Sequence, residues 1–162
     1  IIYFYMLEQI STYFTIEMVY LWLNIGVIPF WLMLIFLPNS KLGSIFVSSI
    51  FPIILLSGAY IFVIYKTFFG GYDFDNNFRL YLGLNNLSDL FSNQEFLIAF
   101  WIHFLAINLF CGSWMSRDGS RLLISKYLMF LPLIVTYFIG PLGIFIYWII
   151  RIFYAKKISL YD

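Results

Sequence analysis

A single cysteine (Cys111) and a single histidine (His103) leave the 162-residue chain without an internal disulfide and without the ligand set of a Cys/His zinc site. Charge is equally scarce. Nine Lys and Arg stand against eight Asp and Glu, 10% of the chain in all, and a net charge of +1 supplies no surplus for tracking nucleic-acid phosphates. The sequence has no glycine-rich phosphate loop, no serine nucleophile elbow and no second histidine to complete a haem or metal pair. Its first seventeen residues contain Glu8 and Glu17 but neither Lys nor Arg, so a removable secretory or transit segment is not expected.

Apolar residues fill the space that charge leaves. The chain is 63% hydrophobic and 23% aromatic, with a mean hydropathy of +0.92, whereas soluble domains run at about 45–50% apolar and about 25% charged. Soluble, disordered and coiled-coil classes are thereby excluded, and a bilayer-embedded protein is expected. Four stretches, 18–37, 45–65, 96–115 and 127–150, each approach or exceed the roughly 20 helical residues that cross a hydrocarbon core of about 30 Å. They lack the in-out alternation of a barrel, so helices are the expected solution. The fold class read from this pattern is an all-α integral membrane protein, a single domain over 1–162. Its four transmembrane helices form two antiparallel hairpins, closed by short links at 38–41 and 116–126. The long central loop, 66–95, is expected to carry a short interfacial helix, because Leu87, Leu90 and Phe91 share one face beside Ser88 and Asp89.

That topology sets no orientation. Lys41, Arg117, Arg121 and Lys126 fall on one side and Lys66, Arg79, Arg151, Lys156 and Lys157 on the other, four bases against five. Pro29, Pro52, Pro132 and Pro141 punctuate the apolar stretches, each removing a backbone donor, and glycines flank the last of them in Gly140-Pro141-Leu142-Gly143. The acidic run Asp73-Phe74-Asp75-Asn76-Asn77 begins like a helix-loop-helix calcium loop. Phe78 and Leu84 occupy the positions where that loop needs Gly and Glu, so the run is read as a solvated turn.

Polar side chains inside an apolar span are costly, and the few present are the candidates for function. Glu17 and Asn24, seven apart, share a helix face. His103, Phe110 and Trp114 form one stripe, with the small Ala99 and Ala106 beside the imidazole, while Asn108 points about 140° away. An interhelical hydrogen bond is the plain structural role for His103 and Asn108, and a surface ion pair that for Arg117 and Asp118.

The run Trp101-Ile102-His103-Phe104-Leu105-Ala106-Ile107-Asn108-Leu109-Phe110, then Gly112, Trp114, Arg117 and Asp118, leads on to Gly140-Pro141-Leu142-Gly143 and Arg151. Together these residues closely resemble the abscisic-acid-deficient-type neoxanthin synthase family and its bacterial relatives. Pro29-Phe30-Trp31, with Pro38 and Lys41, resembles that family's first hairpin, and the likeness covers about residues 24–152. It implies a four-helix protein of a bacterial inner membrane or an organelle membrane that converts the epoxycarotenoid violaxanthin into allenic neoxanthin. A carotenoid or other isoprenoid is then the ligand or substrate, with no cofactor and no metal. In this reading His103 removes a proton and Asp118, with Glu17 as the alternative, supplies one. Trp101, Ala106, Asn108, Phe110, Trp114, Arg117, Gly140 and Pro141 border the ligand. Asn108 stands where the family pattern has Asp, and an amide exchanges no proton, so acid or base chemistry is lost at that position. A reading from another class is a non-catalytic subunit that packs lipid or pigment among other membrane subunits of a photosynthetic or respiratory complex.

Overall fold

The computed structural model describes residues 15–38, 40–46, 51–70, 78–79 and 81–156. Every regular element among them is helical: α1 (Ile16–Phe36), α2 (Lys41–Phe46), α3 (Phe51–Phe69), α4 (Leu84–Phe91), α5 (Gln94–Arg121), α6 (Lys126–Phe138) and α7 (Gly140–Ala155). The expected all-α class is therefore met. By length and composition, α1 and α5 are each sufficient to cross a membrane. The acidic run at 73–77, Glu8 and Lys157 lie outside the described residues.

The chain divides into two compact units, one formed by 1–26 with 56–104 and the other by 27–55 with 105–162. In the first, Asn93 caps α5 by accepting a hydrogen bond from the backbone N–H of Phe96 through Oδ1 at 3.0 Å, satisfying one of the orphan donors of the first turn. Phe91 packs edge-on against Phe96 and Phe100, at ring separations of 5.4 and 4.7 Å, and so fastens α4 to the start of α5. This short helix coincides with the amphipathic segment expected in the central loop: Leu90 is buried, Leu87 and Phe91 are half-buried, and Ser88 and Asp89 are exposed. Val19, Leu23, Leu56, Val63, Ile98 and Ile102 form the interior.

The second unit is organised around close backbone approach. Trp31, 3% exposed, lies so near Gly112 that a Cβ there would meet its ring at 2.7 Å. A methyl-sized addition at Gly119 would meet Met129 Sδ at 2.8 Å. Trp31 also meets Tyr137 edge-on at 5.4 Å, and Phe36 meets Phe130 at 6.4 Å. Helix α5 ends with Leu123 in the left-handed region (φ 55) and the N–H of Ile124 donating to the Gly119 carbonyl at 2.9 Å. This is a Schellman-type closure with leucine in the place glycine usually takes. Ser125 then caps α6 through its side chain, accepting from Tyr127 N at 3.4 Å.

The stretch expected to run as one segment over 127–150 is divided. Ile139 leaves the helical region (φ −140, ψ 81) and ends α6, and α7 begins at Gly140 with Pro141 in its first turn. A proline there forfeits no hydrogen bond, so Pro141 starts a helix and does not kink one. Pro29 and Pro132 remain inside α1 and α6, and Pro52 is the second residue of α3. Helices α6 and α7 fold against each other: a Cβ at Gly143 would lie 2.6 Å from the Thr136 Cα, a separation only glycine tolerates.

Candidate functional site

Helix α5 carries most of the residues singled out from the sequence, and its buried face is not the one that carries His103 and Phe110. Ile98, Ile102, Leu105 and Leu109 are buried, whereas His103 and Phe110 are exposed, Phe110 by 59%. His103 makes no hydrogen bond among the described residues. The interhelical hydrogen bond expected of it is therefore not made among them, because the larger apolar side chains on the opposite side of the helix occupy the interior. Ala106 is half-buried and Arg117 exposed.

In the first unit, Trp101 is half-buried and donates through Nε1 to Asn24 Oδ1 at 3.3 Å. The Asn24 amide in turn donates to the Tyr20 carbonyl at 2.7 Å. Tyr20 lies against Trp101 at a ring separation of 5.8 Å, and Phe104 stacks on it at 5.2 Å. These aromatics border a cleft of about 460 Å³ whose lining is Ile16, Glu17, Tyr20, Gln94, Leu97, Ile98 and Trp101. A second cleft of about 570 Å³ shares Glu17 and Gln94 with it and adds Lys66, Thr67 and Glu95. Glu17 and Asn24, placed on one face by their spacing, thus serve different ends: the carboxylate lines the clefts and the amide holds Trp101.

In the second unit, Asn108 is 5% exposed and its Nδ2 has no hydrogen-bond partner. The side chain presses on Gly140, which is buried, while Pro141 beside it is exposed. The Asn108 and Gly140 positions, 32 residues apart, are therefore brought together at the start of α7. One helix turn further along α5 than Trp114, Asp118 Oδ2 accepts from Tyr147 Oη at 2.6 Å and from Arg151 Nε at 2.6 Å. Tyr147 is 0% exposed, Arg151 is 3% exposed, and Trp114 covers Tyr147 edge-on at 5.5 Å. The half-buried carboxylate pins α7 to α5. Tyr147 was not anticipated from the sequence; its spacing of four from Arg151 is the signal that would have located it.

This arrangement separates the two residues first assigned as base and acid. Asp118 follows His103 by fifteen positions on α5, about 22 Å of helix rise, so one epoxide and its neighbouring polyene carbon cannot touch both. Among the described residues there is no cluster of three or more His, Cys, Asp or Glu able to hold a metal ion.

A family model described as ABA DEFICIENT 4-like matches residues 18–147. Protein ABA DEFICIENT 4, chloroplastic, of Arabidopsis thaliana is 27% identical over 124 residues, which cover 70% of this chain and 56% of that protein. The chain thus spans little more than half the length of this relative. No solved structure matches. The family match takes in Trp101 to Arg117, the Asp118–Tyr147 contact and the Gly140-Pro141 break, and on that extent the chain belongs to the ABA DEFICIENT 4-like family.

Proposed function

We propose that this chain is a multi-pass integral membrane protein that binds a carotenoid or related oxygenated isoprenoid and acts as a neoxanthin-synthase-type isomerase. The observation that carries the reading is the family match over residues 18–147. Helices α1, α3 and α5 cross the bilayer, α3 with 19 residues, and α4 lies in the interface.

The cleft beside Glu17 and Trp101 suits one ring end of such a ligand. Its walls are apolar and aromatic, its volume of about 460 Å³ accommodates a substituted cyclohexane ring, and Glu17 is its acidic group. Converting an epoxide into an allene is a redox-neutral isomerisation. A proton goes to the epoxide oxygen, the C–O bond breaks, and a proton leaves the adjacent polyene carbon as the cumulated double bond forms. Glu17 supplies the first proton as a carboxylic acid and takes the second as a carboxylate. Asp118, held by Tyr147 and Arg151, has a positioning role in the second unit.

Membranes containing the chain and supplied with violaxanthin are expected to accumulate neoxanthin. Glu17→Gln should cut conversion about 100-fold or more, the usual range for a lost general acid or base, and His103→Ala should leave it within about twofold. Loss with His103→Ala and not with Glu17→Gln would relocate the chemistry to the outward face of α5. Purified protein that retains no polyene, converts none and copurifies stoichiometrically with a larger membrane complex would replace this reading with the accessory-subunit one.

A further inference from the structure

Contacts along α5 trace the path of the last two helices within the second unit. Asn108 meets Gly140 near the middle of the 28-residue α5, Met115 Sδ lies 3.8 Å from Thr136 Oγ1, and Gly119 abuts Met129. On the other arm, Trp114 meets Tyr147, and Asp118 meets Tyr147 and Arg151. In chain order, α6 runs back from the Gly119 level to the Asn108 level, and α7 returns from Asn108 past Asp118. The reversal is made at the single residue Ile139. With 13 residues, α6 extends about 20 Å, too short for a hydrocarbon core of about 30 Å.

We propose that α6 and α7 form a re-entrant hairpin, which enters the bilayer from the side holding Ser125, turns at Ile139 at mid-depth and leaves on the side it entered. This rests on the multi-pass membrane reading above and replaces a fourth crossing with a fold-back. The backbone at the turn meets the demand that a bilayer makes of irregular chain. Ile139 N donates to the Val135 carbonyl at 2.7 Å, Gly143 N donates to the Ile139 carbonyl at 3.1 Å, and Gly140 is covered by Asn108. Sharp reversal is possible because Gly143 lets the two helix backbones touch at Thr136.

The fold-back also breaks the charge tie. Four against five came from sending Arg151 and Lys156 to the far side of a fourth crossing. With both arms ending together, Arg117, Arg121, Lys126 and Lys156, all exposed, and the buried Arg151 gather at one end of the second unit. Lys41 joins them: it opens α2 shortly after Phe36, which packs on Phe130 in the first turns of α6. Six of the chain's nine bases thus gather at that end, which places it on the cytoplasmic side of a bacterial membrane, where basic segments are retained.

The test uses the full chain with Cys111→Ser and one new cysteine at a time: Ser125→Cys, Lys156→Cys or Ile139→Cys, all at exposed positions. A membrane-impermeant maleimide is applied to sealed right-side-out and inverted bacterial vesicles. Positions 125 and 156 are expected to label in inverted vesicles only, and position 139 in neither. A fluorescent protein fused after Asp162 should fold in the cytoplasm, which gives the same answer without a cysteine. Labelling of 125 and 156 from opposite sides overturns the hairpin, as does labelling of 139 from the side opposite 125, the mark of two full crossings. Labelling of both 125 and 156 in right-side-out vesicles overturns the orientation. Release of the chain by alkaline carbonate would instead sink the membrane reading itself, so the two failures are distinguishable.

Discussion

Gly143→Ala is expected to destabilise the protein by about 3 kcal/mol, at the upper end of overpacking costs. The added Cβ would collide with backbone atoms of Thr136 as well as its hydroxyl, and Thr136 is 0% exposed, so no flexible side-chain tip is available to yield. Thermal unfolding in detergent should move down by roughly 6–12 °C, taking about 2–4 °C per kcal/mol for a chain of this size. Gly26→Ala and Gly58→Ala are the matched controls. Both lie in helices with nothing within 4 Å of the added methyl, and helix propensity should make them neutral or stabilising by up to about 1 kcal/mol. Equal melting of all three variants would show that α6 and α7 do not touch at Gly143.

Asp118→Ala should cost about 3–5 kcal/mol, the penalty for breaking a buried ion pair by removing one partner. It takes away the carboxylate that offsets the desolvation of Arg151, whose side chain is 4% exposed. Tyr147→Phe deletes one hydrogen bond to that carboxylate and should cost about 1.5–3 kcal/mol. A double Asp118→Leu/Arg151→Leu variant should recover most of the loss, because replacing both charges with apolar side chains removes the burden of burying them. Melting temperature in detergent checks the whole series. An Asp118→Ala protein that melts like the parent would deny the positioning role, and one that also loses the proposed isomerase activity at unchanged stability would return Asp118 to the acid role read from the sequence.

Both substitutions probe contacts between residues distant in sequence, and such contacts separate what local pattern reveals from what it does not. The Gly140-Pro141-Leu142-Gly143 string was legible as a break, since proline removes a donor and glycine weakens a helix. Whether the next helix continues in line or turns back depends on Gly143 against Thr136 and Gly140 against Asn108, pairs that no helical period encodes. Leu87, Leu90 and Phe91 announced α4 because a one-sided apolar stripe is itself a local property. The stripe of His103, Phe110 and Trp114 was equally legible, but its direction was not. In a chain this apolar every face of α5 is hydrophobic enough to be buried, so periodicity does not distinguish interior from lipid.

Composition and run length by themselves determined an all-helical chain suited to a bilayer, because only paired backbone groups and apolar side chains are tolerated there. The ordered residues from Trp101 to Arg151 determined its family. Tertiary structure alone decided that His103 faces outward, that Asp118 is occupied by Tyr147 and Arg151, and that α7 returns alongside α5. The reason is physical: local spacing sets which residues share a helix face. Which face is covered, and which way a helix leaves a break, is settled by where two backbones approach closely enough that only glycine fits between them.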